Sequence, residues 1–326
     1  MEVIIIKILK IVELFGGIGA VRKAIINLQI PYKVIDYVEI DKNCVKSYNK
    51  LYQENYQPKS VIDYELPNEK IDILMHGSPC QDFSRVGLQK GGEKGSGTRS
   101  SLLFETIRII EHAKHKPKWV IWENVKGVLD KNMRAAFFYY LAEMNRLGYE
   151  TKYQLLNAKD FGIPQNRERI FAISYLGENN FDFNHLEKKE KKAINEFLEV
   201  DCSDKYIVKQ ASMLKYIQDD KSNKKFKGRL NIVQEFCYTI STKQMRIPNA
   251  GIVDLKNGKY RYLTERECFR LMGFSDNDFN KLREIYPEKE NKTSSILYKQ
   301  AGNSIVVDVL EVILKEIFKN KIQLLE

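Results

Sequence analysis

The stretch that most restricts the fold lies near the start of the chain. Lys7 to Phe15 is an apolar run that reads as a strand, and it leads straight into Phe15-Gly16-Gly17-Ile18-Gly19. Ala20 to Leu28 then has helical character. Strand, glycine turn and helix, in that order, open an α/β unit that binds a nucleotide-like ligand. Glycine lets the backbone approach the ligand, and the first turn of a helix carries unpaired N–H groups. A dinucleotide pattern needs a further glycine at position 22, where this chain has Arg22. A pyrophosphate site of the NAD type is therefore disfavoured.

The next strand, Lys33 to Val38, ends in Glu39-Ile40-Asp41. Glu39 follows Gly19 by about 20 residues, the offset at which such a unit places the acid that takes two ribose hydroxyls. A third short apolar run ends near Asp63, which is expected to reach an adenine amino group. Ile71 to Met75 reads as a buried strand, followed by His76-Gly77-Ser78-Pro79-Cys80-Gln81-Asp82-Phe83-Ser84. Cys80 thus stands just past a strand end, where open α/β sheets bind ligands. It precedes Gly91 to Thr98, which is too rich in glycine to be anything but loop. Taken alone, Cys80 is either a nucleophile or a small buried hydrophobe.

Apolar positions 103, 107, 110 and 113 give Leu102 to Lys114 a helical face. Lys118 to Trp122 is a strand that delivers Glu123-Asn124-Val125. Glu123 is either an acid near Cys80 or a structural carboxylate paired with an arginine. Ala135 to Leu147 is a helix stopped by Gly148, and strands are expected over Tyr149 to Leu156 and Ile170 to Leu176. Between those strands lies Gln165-Asn166-Arg167-Glu168-Arg169. Arg167 and Arg169 are expected on opposite faces of an extended segment, one toward the pocket and one toward the frame.

After Gly177 the chain turns polar and rich in lysine, and a boundary is expected there. Glu187 to Lys192 is a charge run of the kind usually found on solvated helix faces. Residues 228–262 hold short strand-like pieces with Thr239, Lys243, Gln244 and Arg246, side-chain types that read base edges and phosphates. Arg261 to Phe274 reads as a helix capped by Thr264 and Glu267. Gln300-Ala301-Gly302-Asn303-Ser304 leads into a last amphipathic helix, Ile305 to Phe318.

Composition narrows the partner. The 326 residues carry a net charge of +10, and the pI is about 9.1. That favours a polyanion, and without a long apolar span nucleic acid is favoured over a membrane. An AT-rich genome, which inflates lysine, asparagine and isoleucine, contributes to the same bias. The five cysteines are scattered and form no C-x-x-C pair, and the four histidines lack metal spacing. No metal is expected, nor a disulfide framework, and a reducing cytoplasm suits the chain. Val3 to Leu14 is broken by Lys7, Lys10 and Glu13 and reads as a first strand, not a signal peptide.

Taken together, these pieces resemble the cytosine-5 DNA methyltransferase family of bacterial or phage restriction–modification systems. The resemblance rests on Phe15-x-Gly17-x-Gly19, Glu39, Pro79-Cys80-Gln81 and Glu123-Asn124-Val125. It continues through Gln165-x-Arg167-x-Arg169, the run from Arg261 to Glu267, and Gly302-Asn303-Ser304, in the family's order over nearly the whole chain. It implies an α/β, Rossmann-like fold dependent on S-adenosyl-L-methionine: a mixed sheet with helices on both faces, plus a smaller, mostly β target-recognition domain. The expected divisions are 1–177 for catalysis and cofactor, 178–295 for target recognition, and 296–326 for a helix returning to the first part.

The resemblance also implies roles. Cys80 would attack carbon 6 of a flipped-out cytosine, with Glu123, Arg167 and Arg169 completing the catalytic set. Glu123 would donate to ring nitrogen 3, and Arg167 would hold the carbonyl oxygen. The methyl donor would lie against Phe15, Gly17, Gly19, Glu39, Ile40, Asp63, Pro79, Asn303 and Ser304. Ile40 stands where the family often has an aromatic residue. Double-stranded DNA would meet Gln81, Ser84, Arg85, Arg99, Gln165, Thr239, Lys243, Gln244 and Arg246, with Gly91 to Ser101 as a lid. A monomer is expected, with a cognate restriction endonuclease as a companion. The alternatives are a tRNA cytosine-5 methyltransferase, suggested by Cys237-Tyr238-Thr239, and a catalytically silent DNA-binding relative.

Overall fold

A computed structural model describes residues 8–78, 101–131, 133–218 and 230–322. Its frame is a six-stranded sheet. The strands are β1 (Leu9–Leu14), β2 (Tyr32–Val38), β3 (Ile73–His76), β4 (Trp119–Val125), β5 (Tyr149–Asn157) and β7 (Glu168–Leu176). The spatial order is β2-β1-β3-β4-β7-β5. β2, β1, β3 and β4 run parallel, whereas β7 pairs antiparallel with β4 and β5.

Alternation along each strand explains why these segments are apolar on both sides. In β1, Leu9 and Ile11 enter one core and Val12 and Leu14 the other. β4 does the same with Trp119 and Ile121 against Val120 and Trp122. A sheet covered on both faces must be apolar in both registers. One face is covered by α1 (Ala20–Asn27) and the long last helix. The other is covered by α3 (Ser101–His112) and α4 (Arg134–Arg146).

α2 (Lys42–Tyr52) follows β2, and its first turn is capped by Asp41, whose side chain accepts from Asn43 N at 2.8 Å and Cys44 N at 3.4 Å. The periodic reading of the sequence does not reach this helix, because its apolar stripe is built partly from tyrosines. No strand forms before Asp63: that residue is exposed, on a turn, with φ +61°. The expected third apolar run holds too few buried side chains, with Val61 buried but Ile62 48 % exposed.

Beyond the sheet come β6 (Gln165–Asn166), α5 (Ala211–Gln218), β8 (Cys237–Tyr238), β9 (Ile252–Asp254) and β10 (Tyr260–Tyr262). β6 pairs with β8, and β9 with β10. The chain closes with α6 (Glu265–Arg270), α7 (Asp276–Ile285), α8 (Ser295–Asn303) and α9 (Val307–Ile322). The larger core runs from α1 and β1 through Phe181, Ile194, Ile240 and Phe269 into α9. A small satellite core joins Val208, Met213, Ile252 and Tyr262. Among the described residues no helix is long and apolar enough to cross a membrane.

Two expectations are corrected. The charge run Glu187 to Lys192 is not helical, and Lys189 reaches back to Asp308 at 3.6 Å and Glu311 at 3.0 Å on α9. The helix expected from Arg261 begins at Glu265, because Thr264 is its N-cap and Arg261 belongs to β10. Arg261 is instead half of a buried ion pair, donating to Glu267 Oε1 at 2.7 Å and Oε2 at 2.9 Å. The Glu267 carboxylate also accepts from Thr264 N at 2.8 Å and Glu199 N at 2.7 Å. It therefore closes the capping box and anchors a loop at once. Replacing one member of such a pair leaves the other charge buried and unpaired. Glu267→Gln should lower the urea unfolding free energy by about 3 kcal/mol or more, and an unchanged midpoint would contradict the pairing.

Candidate active site

The first half of the site is the glycine turn between β1 and α1. Phe15 (φ +54°) and Gly17 (φ +55°) take left-handed conformations, and Gly19 (φ +79°) is the N-cap of α1. A side chain at Gly19 would collide with Tyr52 at 2.5 Å and Tyr48 at 2.7 Å. At Gly17 a Cβ would meet nothing within 4 Å, so the turn has tyrosine rings on one side and open space on the other. That open, backbone-lined space is what a ligand cradle needs. Glu39 braces it: its carboxylate accepts from Gly17 N at 3.1 Å and Asp41 N at 2.8 Å. Ile40 is 69 % exposed at the strand end.

The tyrosine layer is held by Arg22, the residue that replaces the third glycine. Its guanidinium donates to Tyr32 OH at 3.1 Å, Tyr48 OH at 3.2 Å and Glu54 at 2.8 Å, and it lies 4.6 Å from the centre of the Tyr52 ring. Tyr37 and Tyr52 donate in turn to the carbonyls of Gly17 and Gly19. Within the layer is Glu13, a buried carboxyl of β1 that accepts from Tyr48 OH at 2.8 Å. Burial pushes the Glu13 pKa up to about 7, against the opposing pull of the Tyr48 hydrogen bond and Arg22.

A cavity of about 50 Å³ opens beside the turn. It brings Phe15 and Gly17 together with Asn303 and Ser304, residues far apart in sequence. Glu13, Cys44 and Gln300 also line it and have no counterpart in the sequence reading. Their signal was weak: one acid inside an apolar strand, a lone cysteine, and one amide ahead of Gly302. The wall continues to Gly77 on the far side of β3. The residues suit the expected methyl donor: a backbone cradle beside open space and an acid that braces it. Asp63 does not line the cavity, and Gly19 serves it through the tyrosine contact.

The second half of the site is at the ends of β4 and β7. Glu123 lies within β4, paired in register with Phe171. Arg169 Nε stands 3.1 Å from Glu123 Oε1, with side chains 16 % and 12 % exposed. Burial raises the Glu123 pKa, while Arg169 and Arg167 pull it down. Both arginines act electrostatically on Glu123, but Arg169 pairs with it while Arg167, between β6 and β7, turns to backbone carbonyls of the frame.

Arg167 has a different task from Arg169. Its guanidinium donates to the carbonyls of Ile240 at 3.1 Å, Gly302 at 3.0 Å and Ser304 at 2.7 Å. Burial, and then the like charge of Arg169, lower its pKa. Among the described residues its Nε has no partner.

The turn ahead of Cys80 is fixed from β4. Asn124 Nδ2 donates to Ser78 O at 2.9 Å, and His76 Nδ1 lies 3.1 Å from Ser78 Oγ. The other His76 nitrogen is 3.2 Å from Tyr140 OH, and burial drives the His76 pKa down to about 3, so the ring is neutral. Pro79, Cys80, Gln81, Ser84, Arg85 and Arg99, with the expected lid up to Ser100, lie outside the described residues.

Of the expected DNA-reading residues, three have structural duties. Gln165 is buried, donating to Leu271 O at 2.8 Å and accepting from Ile240 N at 3.0 Å. Gln244 is buried, donating to Ser241 O at 2.8 Å and accepting from Ala250 N at 3.1 Å. Thr239 Oγ1 donates to Asn166 O at 2.9 Å. Polar atoms spent inside the protein are not free for base edges, so the buried Gln165 and Gln244 shape the loop, while the half-buried Thr239 hydroxyl keeps lone pairs that can still accept. Lys243 and Arg246 remain exposed on it. Gly302 presses on this loop, since a Cβ there would sit 2.5 Å from Thr242 N.

A family model for C-5 cytosine-specific DNA methylases matches residues 9–319. The chain is 32% identical over 375 residues to the type II methyltransferase M2.ScrFI of Lactococcus lactis subsp. cremoris, covering 96% of this chain and 100% of that one. It is 33% identical over 332 residues to the type II methyltransferase M.Bsp6I of Bacillus sp. (strain RFL6), covering 96% and 99%. Among solved structures, the S. pombe Dnmt2 methyltransferase superposes with a TM-score of 0.76 at 19% identity, covering 96% and 99%. At that identity the likeness concerns the fold.

Glu13 gives this site a pH signature. Its pKa is raised from 4.5 to about 7 in the folded state. The folded protein therefore binds more protons than the unfolded chain between those values, and stability falls as pH rises through them. Glu13→Gln removes that loss. The variant should gain roughly 2–3 kcal/mol over the wild type at pH 8 compared with pH 4. Urea unfolding at the two pH values measures the difference, and a gap independent of pH would refute the assignment.

Proposed function

This chain belongs to the C-5 cytosine-specific DNA methylase family, and from that premise we propose that it methylates carbon 5 of a flipped-out cytosine through a covalent bond to Cys80. The observation that carries the reading is the Glu123–Arg169 pair at 3.1 Å, at the end of the strand that also anchors Ser78, two residues ahead of Cys80 in sequence, through Asn124. S-adenosylmethionine would be held at the glycine turn and would supply an electrophilic methyl sulfonium there. Glu39 would take its ribose hydroxyls, while the backbone bonds to the Glu39 carboxylate keep the turn open.

Carbon 5 of cytosine is a weak nucleophile. Addition of the Cys80 thiolate to carbon 6 makes carbon 5 electron-rich, so that it can take the methyl group. Negative charge grows on the ring as the carbon–sulfur bond forms. Glu123, whose burial favours its protonated form, donates to ring nitrogen 3. Arg169 holds Glu123 and is the better candidate for the cytosine carbonyl oxygen. Arg167, engaged with three backbone carbonyls, positions the strand. Loss of the carbon 5 proton to a base then breaks the carbon–sulfur bond and frees the thiol. Taking the base out of the duplex costs a few kcal/mol.

Residues 178–295 form the target-recognition region on this reading, with Lys243 and Arg246 facing DNA. The type II relatives make a companion restriction endonuclease the natural biological setting.

Bisulfite sequencing of DNA from cells that express the chain tests the reaction. Cytosines at one defined sequence should resist conversion. With 5-fluorocytosine at that site, elimination is blocked, and an adduct should survive denaturing electrophoresis when the methyl donor is present. Cys80→Ser should abolish methylation and trapping while still binding DNA. An adduct that maps to Cys237 would overturn the mechanism. Arg169→Ala should lower kcat by about 10²-fold, and a larger effect on DNA affinity than on kcat would remove it from the reacting base.

A further inference from the structure

His76 is the last residue of β3, and it differs from the rest of that strand. Ile73, Leu74 and Met75 are buried hydrophobes, whereas His76 is a fully buried imidazole. Burying a polar ring is costly unless both of its nitrogens find partners. Here both do: Nδ1 lies 3.1 Å from Ser78 Oγ, and Nε2 lies 3.2 Å from Tyr140 OH on α4. The ring also stacks on Trp122 of β4, with centroids 5.7 Å apart and planes 7° from parallel. A neutral imidazole offers one N–H and one lone pair, so the two contacts run in one direction, from hydroxyl to hydroxyl.

Packing alone would account for such a ring if its partners were ordinary core groups, but Ser78 is not one. It is fully buried, and both of its oxygens are held. The hydroxyl meets His76, while the carbonyl accepts from Asn124 Nδ2 at 2.9 Å and Trp122 Nε1 at 3.5 Å. β3, β4 and α4 thus converge on one serine. Pro79 and Cys80 follow it in the sequence. A proline ring locks its own φ and restricts the residue before it, so few soft torsions separate the clamped Ser78 from Cys80. Glu123 comes between Trp122 and Asn124 on β4, so one strand sets the acid on one face and the serine on the other.

We infer that His76 is a positioning residue for the nucleophile: by tying the Ser78 hydroxyl to Tyr140, it fixes the direction in which the chain enters Pro79-Cys80. This rests on the proposed function, in which Cys80 attacks the base. Asn124 and Trp122 hold the Ser78 carbonyl, and His76 adds a second point of attachment. Two points on one residue stop it from turning about either. Burial keeps the ring neutral, with its pKa pushed down to about 3, so the clamp is unchanged across the neutral range.

Two amide variants of the full chain divide the clamp. In His76→Asn the amide comes to the place of Nδ1 and keeps a partner for Ser78. In His76→Gln it comes to the place of Nε2 and keeps a partner for Tyr140. Each gives up one hydrogen bond and the ring stacking, so both should lower the melting temperature to a similar degree. Single-turnover methylation of duplex DNA at saturating methyl donor reads the chemical step. His76→Asn should stay within about threefold of wild type, and His76→Gln should be slower by about 10- to 100-fold. Affinities for the duplex and for S-adenosylhomocysteine should stay within about twofold in both variants. Adduct formation with 5-fluorocytosine should slow in step with methylation. Equal rates in the two variants, or losses that follow the melting temperature, would make His76 a packing residue and overturn the inference. If either variant fails to fold, Ser78→Ala decides. It should slow adduct formation by about 10-fold or more with DNA affinity unchanged, and a rate near wild type overturns the inference. A wild type that yields neither methylated DNA nor adduct overturns the proposed function, and the inference with it.

Discussion

Arg167 is a cation buried among backbone carbonyls, and segments distant in sequence are held together by it. Its partners are Ile240 in the loop after β8 and Gly302 and Ser304 at the end of α8. A buried guanidinium is tolerable when its donors are met, and carbonyls at a loop and a helix end have lone pairs to spare. The bonds satisfy those carbonyls and the two terminal nitrogens, while among the described residues Nε is left without a partner. They also fix where Asn303 and Ser304 stand relative to Phe15 and Gly17, and where the loop with Lys243 and Arg246 begins. Gln165, one pleat repeat earlier, repeats the logic by clamping Ile240 N and Leu271 O.

The glycine turn obeys a complementary constraint. Gly19 is required because tyrosine rings lie where its side chain would be, and Gly17 because its backbone is left-handed beside open space. Arg22, Glu13 and the tyrosines form one connected polar and aromatic layer under that turn. Such a layer keeps the turn rigid without help from a ligand, and burying Glu13 in it produces the raised pKa. Preorganisation of the cradle and an acid titrating near neutrality thus have a common origin.

Much of this was legible along the chain. The six sheet strands show as apolar runs, because a sheet covered on both faces needs apolar residues in both registers. Glu39, Glu123 and the arginine pair follow from strand ends and spacing. The division of labour between Arg167 and Arg169 was expected, but which of them turns to the frame was not legible, because Arg167 falls in the break between β6 and β7. α2 was not legible, since its buried stripe includes Tyr48 and its cap, Asp41, sits in a segment dominated by Glu39. Nor was the exposed turn that carries Asp63, which depends on how little of that segment is buried.

What the sequence determined by itself was local and periodic: strands, the glycine turn, the capping box at Thr264, and the order of motifs that identifies the family. Tertiary structure decided which polar groups are already spent. Gln165, Thr239 and Gln244 have the composition of base readers, yet their hydrogen bonds close on the protein. Arg169 and Arg167 are chemically identical, yet one pairs with a carboxylate and the other with carbonyls. Gln300 shows the reverse case, an ordinary amide in the sequence whose oxygen is left without a partner among the described residues. Hydrogen-bond partners are set by contacts between residues up to 284 positions apart, and such contacts leave no trace in local spacing.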